Sequence, residues 1–287
     1  MRNHRIDLGK LPFLLTAGLG ILIGIIFYYL AVIQFLGVSF QQRIVGRLFG
    51  EGFTIDNYKL ILLDDFYLRV LLITVLIALS VSLLCAIFGY PIAYFLATRS
   101  GKLRQIILLM VVASLFTNIT VRSFGWIVMF AETGFVNTFL ASVGVEPISI
   151  LYTPLAVAIG MVQINLPVLI LVLAAVVVRI NPELRYASQS LGANKLTTFC
   201  RITFPLSVPG LVTGIILVFV LTIGTYITVE LLGGGQVRTL PIIIYNLITR
   251  RFNWQLASAA AVVLLTAAIF CISLIRLLGK QRHKQEG

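Results

Sequence analysis

The chain has 287 residues, of which 59% are apolar and only 11% charged, less than half the roughly 25% charge of an average soluble domain. Five stretches of 24 to 32 residues carry no charge at all, which excludes a soluble globular protein. The net charge of +12 does not indicate a nucleic-acid partner, because the basic residues form no continuous patch with interleaved aromatics.

The charge-free stretches are 11–42, 70–98, 147–178, 202–229 and 252–275, and a sixth, 105–131, is interrupted only by Arg122. A helix crossing the hydrocarbon core needs about 20 apolar residues, and all six suffice. They predict an all-α polytopic membrane protein with about six transmembrane helices, at 12–37, 70–97, 105–130, 153–178, 207–231 and 255–277. Arg2, Arg5 and Lys10 precede the first apolar run, which is too long for a 7–15-residue signal-peptide core and lacks an Ala-x-Ala cleavage site. It reads as a retained helix behind a tail at 1–11. Residues 38–69 form an outside loop with a short interfacial structure, 70–278 a core of five spans, and 279–287 a second tail.

In the second span Gly89 and Pro91 precede Tyr94, and Leu166–Pro167 interrupts the fourth. Proline removes a backbone donor and clashes with the preceding turn, so each site is either a packing kink or a bend beside a cavity. In the third span Arg122 has Asn118 one turn before it and Trp126 one turn after, all on one helix face. An ionisable residue at this depth marks a pathway, or it snorkels to the interface or locks helices together. At the end of the fifth span, Glu230 is a carboxylate for a cation or for Arg122, or a helix-end residue among headgroups. Tyr226, one turn earlier, stacks on a solute or joins the interfacial aromatic belt. Gly233–Gly235 predict a turn into an outside or re-entrant segment at 239–250.

With both tails inside, fourteen Lys and Arg fall inside and seven outside, while seven of the ten acids fall outside. That asymmetry orients the protein with both termini cytoplasmic. Cys85, Cys200 and Cys271 are far apart, His4 and His283 lie in the tails, and no nucleotide loop, catalytic triad or metal-ligand spacing occurs. The chain is therefore expected to hold no cofactor or metal and to catalyse no reaction itself.

The inner loop 180–206 carries the strongest pattern. Asn181 is a good N-cap, Pro182 suits the first helical position and Glu183 complements the dipole. Leu184, Ala187 and Leu191 make an apolar stripe, and Gly192 can end the helix in a left-handed conformation. Asn194 caps a second helix over Lys195–Ile202, which Pro205 stops. Such a knob either rests on lipid headgroups or docks on another protein.

The stretch Tyr186-Ala187-Ser188, three residues, Gly192, then Phe199, Ile202, Phe204 and Pro205 resembles the EAA loop of ABC-importer permeases, with Tyr186 in the place of the usual Glu and Ser188 in that of the second Ala. GYPIAYFLA at 89–97, TNITVRSFGW at 117–126, LGGG at 232–235 and the NW at 253–254 are similar to the spermidine/putrescine-type subgroup, which has a proline where this chain has Val229. The resemblance implies the type I ABC importer permease fold and a role as the transmembrane subunit of an ATP-driven importer in a bacterial inner membrane. The solute would be a polyamine or, alternatively, an opine, an amino-acid-like or an anionic compound; a receptor or scaffold is the reading from another class. The implied partners are a second permease, two ATPase subunits that bind the ATP and Mg, a periplasmic or extracellular substrate-binding protein, and lipid. The implied coupling helix holds Glu183, Leu184, Tyr186, Ala187, Ser188, Leu191, Gly192, Ala193 and Lys195. The candidate pathway residues are Asn118, Arg122, Trp126, Tyr226 and Glu230.

Overall fold

A computed structural model describes residues 11–44, 47 and 50–284. These residues form thirteen α-helices and no strand: α1 Leu11–Ser39, α2 Asp56–Leu63, α3 Asp65–Thr98, α4 Lys102–Phe116, α5 Ile119–Phe130, α6 Phe135–Ser142 and α7 Pro154–Val177, then α8 Pro182–Ser190, α9 Lys195–Thr198, α10 Phe204–Ile223, α11 Ile227–Gly233, α12 Leu240–Thr249 and α13 Trp254–Lys284. The N-terminal tail lies outside the described residues except for Leu11. The C-terminal segment expected as a tail is helical to Lys284, and 285–287 lie outside the described residues.

Six helical stretches are long and apolar enough to cross a membrane, over 20–39, 65–98, 119–142, 154–177, 195–223 and 254–279. The third differs from the expected 105–130, because the chain breaks at Thr117–Asn118 and starts a new helix. Asn118 is extended (φ −60°, ψ 135°) and its side chain accepts the Thr120 N–H, a local bond that competes with the helical ladder. The fifth expected span, 207–231, also ends early, at Gly224–Tyr226 between α10 and α11. By contrast α3 runs unbroken through Pro91 and α7 through Pro167.

The core is a trio of long helices. α3, α7 and α10 pack on one another around Val81, Cys85, Leu169, Leu173 and Val218, all fully buried. Backbones approach closely: a Cβ at Gly210 would stand 2.6–2.7 Å from the three side-chain carbons of Val176, closer than packed carbons allow. Small residues at helix crossings are the usual device for association in lipid. A second cluster joins α2, the start of α3, α12 and α13 through Ile61, Val70, Leu240 and Ala260. Here Thr74 Oγ1 on α3 accepts the Leu240 N–H at 2.9 Å, which seats the start of α12 inside the protein. α1 lies against α13, and its residues 21–30 are mostly half or more exposed, as suits a surface in contact with lipid. In the connection between α1 and α3, Thr54 donates to the Asp56 carboxylate and Lys59 lies 3.3 Å from it, in that order of effect holding this acid below its ordinary range.

Candidate functional site

Three places gather the polar and exposed residues that the sequence singles out. The first is the knob between α7 and α10. Asn181 Oδ1 accepts the Glu183 N–H at 2.9 Å, and Pro182 occupies the first turn of α8. Gly192 has φ +88°, the Gly192 N–H donates to Gln189 O at 3.0 Å and the Ala193 N–H to Ser188 O at 3.1 Å. This paired closure is the Schellman ending, and a β-branched residue in that conformation is strained. Asn194 Oδ1 accepts the Thr197 N–H at 2.7 Å, and the hydroxyls of Ser188 and Thr198 lie 3.1 Å apart across the two helices.

One expectation is corrected. Pro205 does not stop the second helix, since α9 passes through a π-helical turn at Phe199–Thr203 directly into α10. The wider turn shifts the hydrogen-bond register ahead of the proline, which then sits in the first turn of α10, where a missing N–H does little harm. At this junction the ring of Phe199 meets Tyr90 edge-on at 5.5 Å and Tyr94 at 5.3 Å, and the Tyr90 hydroxyl lies 2.6 Å from Ser207 Oγ. The aromatic residues around Pro91 thus tie the knob to α3. The face of the knob is open: Leu191 is 89% exposed, Leu196 71% and Tyr186 67%. Leu184, Glu183, Ala187 and Lys195 are also exposed, and Ser188 and Ala193 half-buried.

The second place is a cavity of about 520 Å³ at the two helix breaks, bordered by Thr117, Asn118, Arg122, Asn165, Thr225 and Thr228. Its floor is Met161–Val168, the middle turns of α7. Arg122 donates from Nη2 to Thr117 O at 3.0 Å, while Nε and Nη1 are buried without a partner. The Thr228 hydroxyl is buried without one as well. Asn165, 6% exposed, donates to Met161 O at 3.0 Å and to Thr222 Oγ1 at 3.4 Å. Trp126 is not part of this cavity. It packs against the core and stacks on Phe130 at 5.0 Å.

The third place is a groove of about 360 Å³ at the start of α3, bordered by Phe66, Glu230, Arg238, Asn246, Arg250 and Arg251. Arg238 stands 5.8 Å over the Phe66 ring. Tyr226 stacks on Tyr245 at 4.3 Å between rings. The structure thus separates the five expected pathway residues. Asn118 and Arg122 meet at the cavity and Glu230 lies in the groove, so Glu230 and Arg122 form no ion pair.

Asn165, Thr225 and Thr228 are the residues that the sequence reading missed. Their signal was present as polar side chains and a Gly224–Thr225 pair inside stretches without any charge.

The comparisons with known proteins concern the chain as a whole. The family model described as "Binding-protein-dependent transport system inner membrane component" matches residues 89–284. The chain is 35% identical over 246 residues to the spermidine/putrescine transport system permease protein PotB of Escherichia coli (strain K12), covering 84% of this chain and 88% of that one. It is 32% identical to the protein of that name from Haemophilus influenzae, over 82% of this chain and 84% of the other. Among solved structures, a chain of a bacterial ABC transporter that imports the acidic polysaccharide alginate superposes with TM-score 0.75 at 20% identity, covering 95% and 96% of the two chains. The chain therefore belongs to the inner membrane components of binding-protein-dependent transport systems.

Proposed function

We propose that the protein is the transmembrane permease subunit of an ABC importer for a polyamine of the spermidine or putrescine type. The observation that carries the substrate is the likeness at 35% identity over most of both chains to a permease named for these solutes. In this reading both termini and the knob face the cytoplasm, as the Lys and Arg asymmetry favours.

The chain itself has the parts of a conduit and a coupling, and ATP hydrolysis belongs to partner ATPase subunits, which also hold the ATP and Mg. The open apolar face of Leu184, Tyr186, Leu191 and Leu196 is the docking surface for an ATPase subunit, since an exposed apolar patch framed by polar residues marks an interaction site. Glu183 and Lys195 frame it. The missing EAA glutamate is replaced by Tyr186, which supplies contact area rather than a charge. Movement of the knob passes through Phe199 to Tyr90 and Tyr94, and so into α3 and α10. The mid-depth cavity at the helix breaks lies on the solute path, since non-helical backbone at membrane depth is tolerated where it lines a polar space. In the groove Glu230 is the carboxylate available to a cationic solute, against the opposing charges of Arg238, Arg250 and Arg251, and Tyr226, stacked on Tyr245, lies one turn before it on the chain. The stacked rings provide faces for an ammonium group.

The test is ATPase activity of the assembled complex in liposomes, with its binding protein loaded in turn with spermidine, putrescine and an anionic or zwitterionic solute. Stimulation by a polyamine is expected. Stimulation by the anion or zwitterion alone would overturn the substrate.

A further inference from the structure

Arg122 has an unbalanced charge. Its guanidinium makes one hydrogen bond, to a backbone carbonyl, and two of its nitrogens are buried without a partner. A cation taken out of water needs a counter-charge or it is strongly destabilising. This chain does not provide one among the described residues. Glu230 sits in the separate groove, Glu183 on the exposed knob, Glu132 past the far end of α5, and Glu146 in the segment after α6. No other acid occurs between Asp65 and Glu286. A polyamine cannot serve, because an arginine repels it. The cavity is also bordered by apolar side chains that the described residues leave exposed, Phe116 at 86% and Ile119 at 43%.

We propose that the Arg122 cavity is a pairing site for a carboxylate side chain carried by a helix of the companion permease subunit, with Phe116 and Ile119 covered by that same helix. This rests on the importer reading above. The pair cancels the arginine's charge inside the solute path and leaves a cation free to pass. It also fixes the register of the two subunits at mid-depth, where apolar surfaces alone specify little because lipid tails are equally apolar.

The test is a double-mutant cycle on the complete complex, in which Arg122→Gln is combined with Asp→Asn or Glu→Gln at each intramembrane acid of the companion subunit. Co-purification of the companion subunit and uptake of solute are both measured. Arg122→Gln and the change at one particular acid are each expected to lower both readouts by about tenfold or more, with the double variant no worse than either single one. Arg122→Glu combined with a basic residue at that acid should restore co-purification. Strict additivity at every acid would overturn the pairing, as would normal co-purification with a raised KM confined to carboxylate-bearing solutes, which would make the solute the source of the carboxylate. Co-purification does not depend on the solute, so a wild-type complex that carries no polyamine while the cycle still closes would sink the substrate alone.

Discussion

The knob and the mid-depth cavity are incomplete in opposite senses. The knob leaves Leu191 and Leu196 exposed, and the cavity leaves two Arg122 nitrogens and the Thr228 hydroxyl buried without a partner. They are also held by different means. The knob is built from bonds between residues at most ten apart in the chain, its two caps, its glycine closure and the Ser188–Thr198 contact. The cavity exists because α4, α5, α7, α10 and α11 are brought together by distant packing. Each leaves groups in a state that a contact from another molecule would stabilise.

The largest expected effect breaks the knob. Gly192→Val places a β-branched residue at φ +88°, and uptake by the reconstituted complex should fall to background together with binding of the ATPase subunit. Normal uptake would remove the docking role. Next comes the packing beneath the cavity: Gly210→Leu forces α10 away from Val176 and should cost about 1–3 kcal/mol of stability, measured as a lower melting temperature in detergent. Val176→Ala should return part of it, and an unchanged melting temperature would show that the crossing gives way freely. Asn194→Ala removes one cap and should cost about 1 kcal/mol. If knob and cavity are independent, it weakens ATPase association and leaves the KM for solute alone. The smallest effect is Glu230→Gln, with a rise in KM for a cationic solute of about threefold, within the range for a partly exposed charge. An unchanged KM would remove Glu230 from the path.

The same contrast explains what was readable beforehand. Asn181, Gly192 and Asn194 act on their immediate neighbours, so their roles follow from spacing, and the structure repeats them bond for bond. Pro91 and Pro167 were readable as bends, and α3 and α7 continue through them as single helices, since neighbouring helices and local adjustment can offset one lost hydrogen bond. The real breaks fall at Asn118, whose capping ability looks like that of any Asn, and at Gly224–Tyr226. Whether such residues open a helix depends on the neighbours packed against them. Arg122 was conspicuous by charge, yet its separation from Glu230 depends on the turn of α11 relative to α10, which no local pattern contains. Pro205 misled for a related reason: the π-helical turn that accommodates it is favoured by Phe199 reaching Tyr90 and Tyr94, residues more than a hundred positions earlier.

That turn has a mechanical consequence. Because Lys195–Ile223 is helical without interruption, it behaves as a rod, about 43 Å long at 1.5 Å per residue. A tilt of about 5° applied at the knob displaces the far end by about 4 Å on that length, with no amplification required from loops. The rod ends at Gly224, where the chain changes direction. A displacement of that kind would reach α11 through the helix break at Gly224–Tyr226, on the wall of the cavity that holds Thr225 and Thr228.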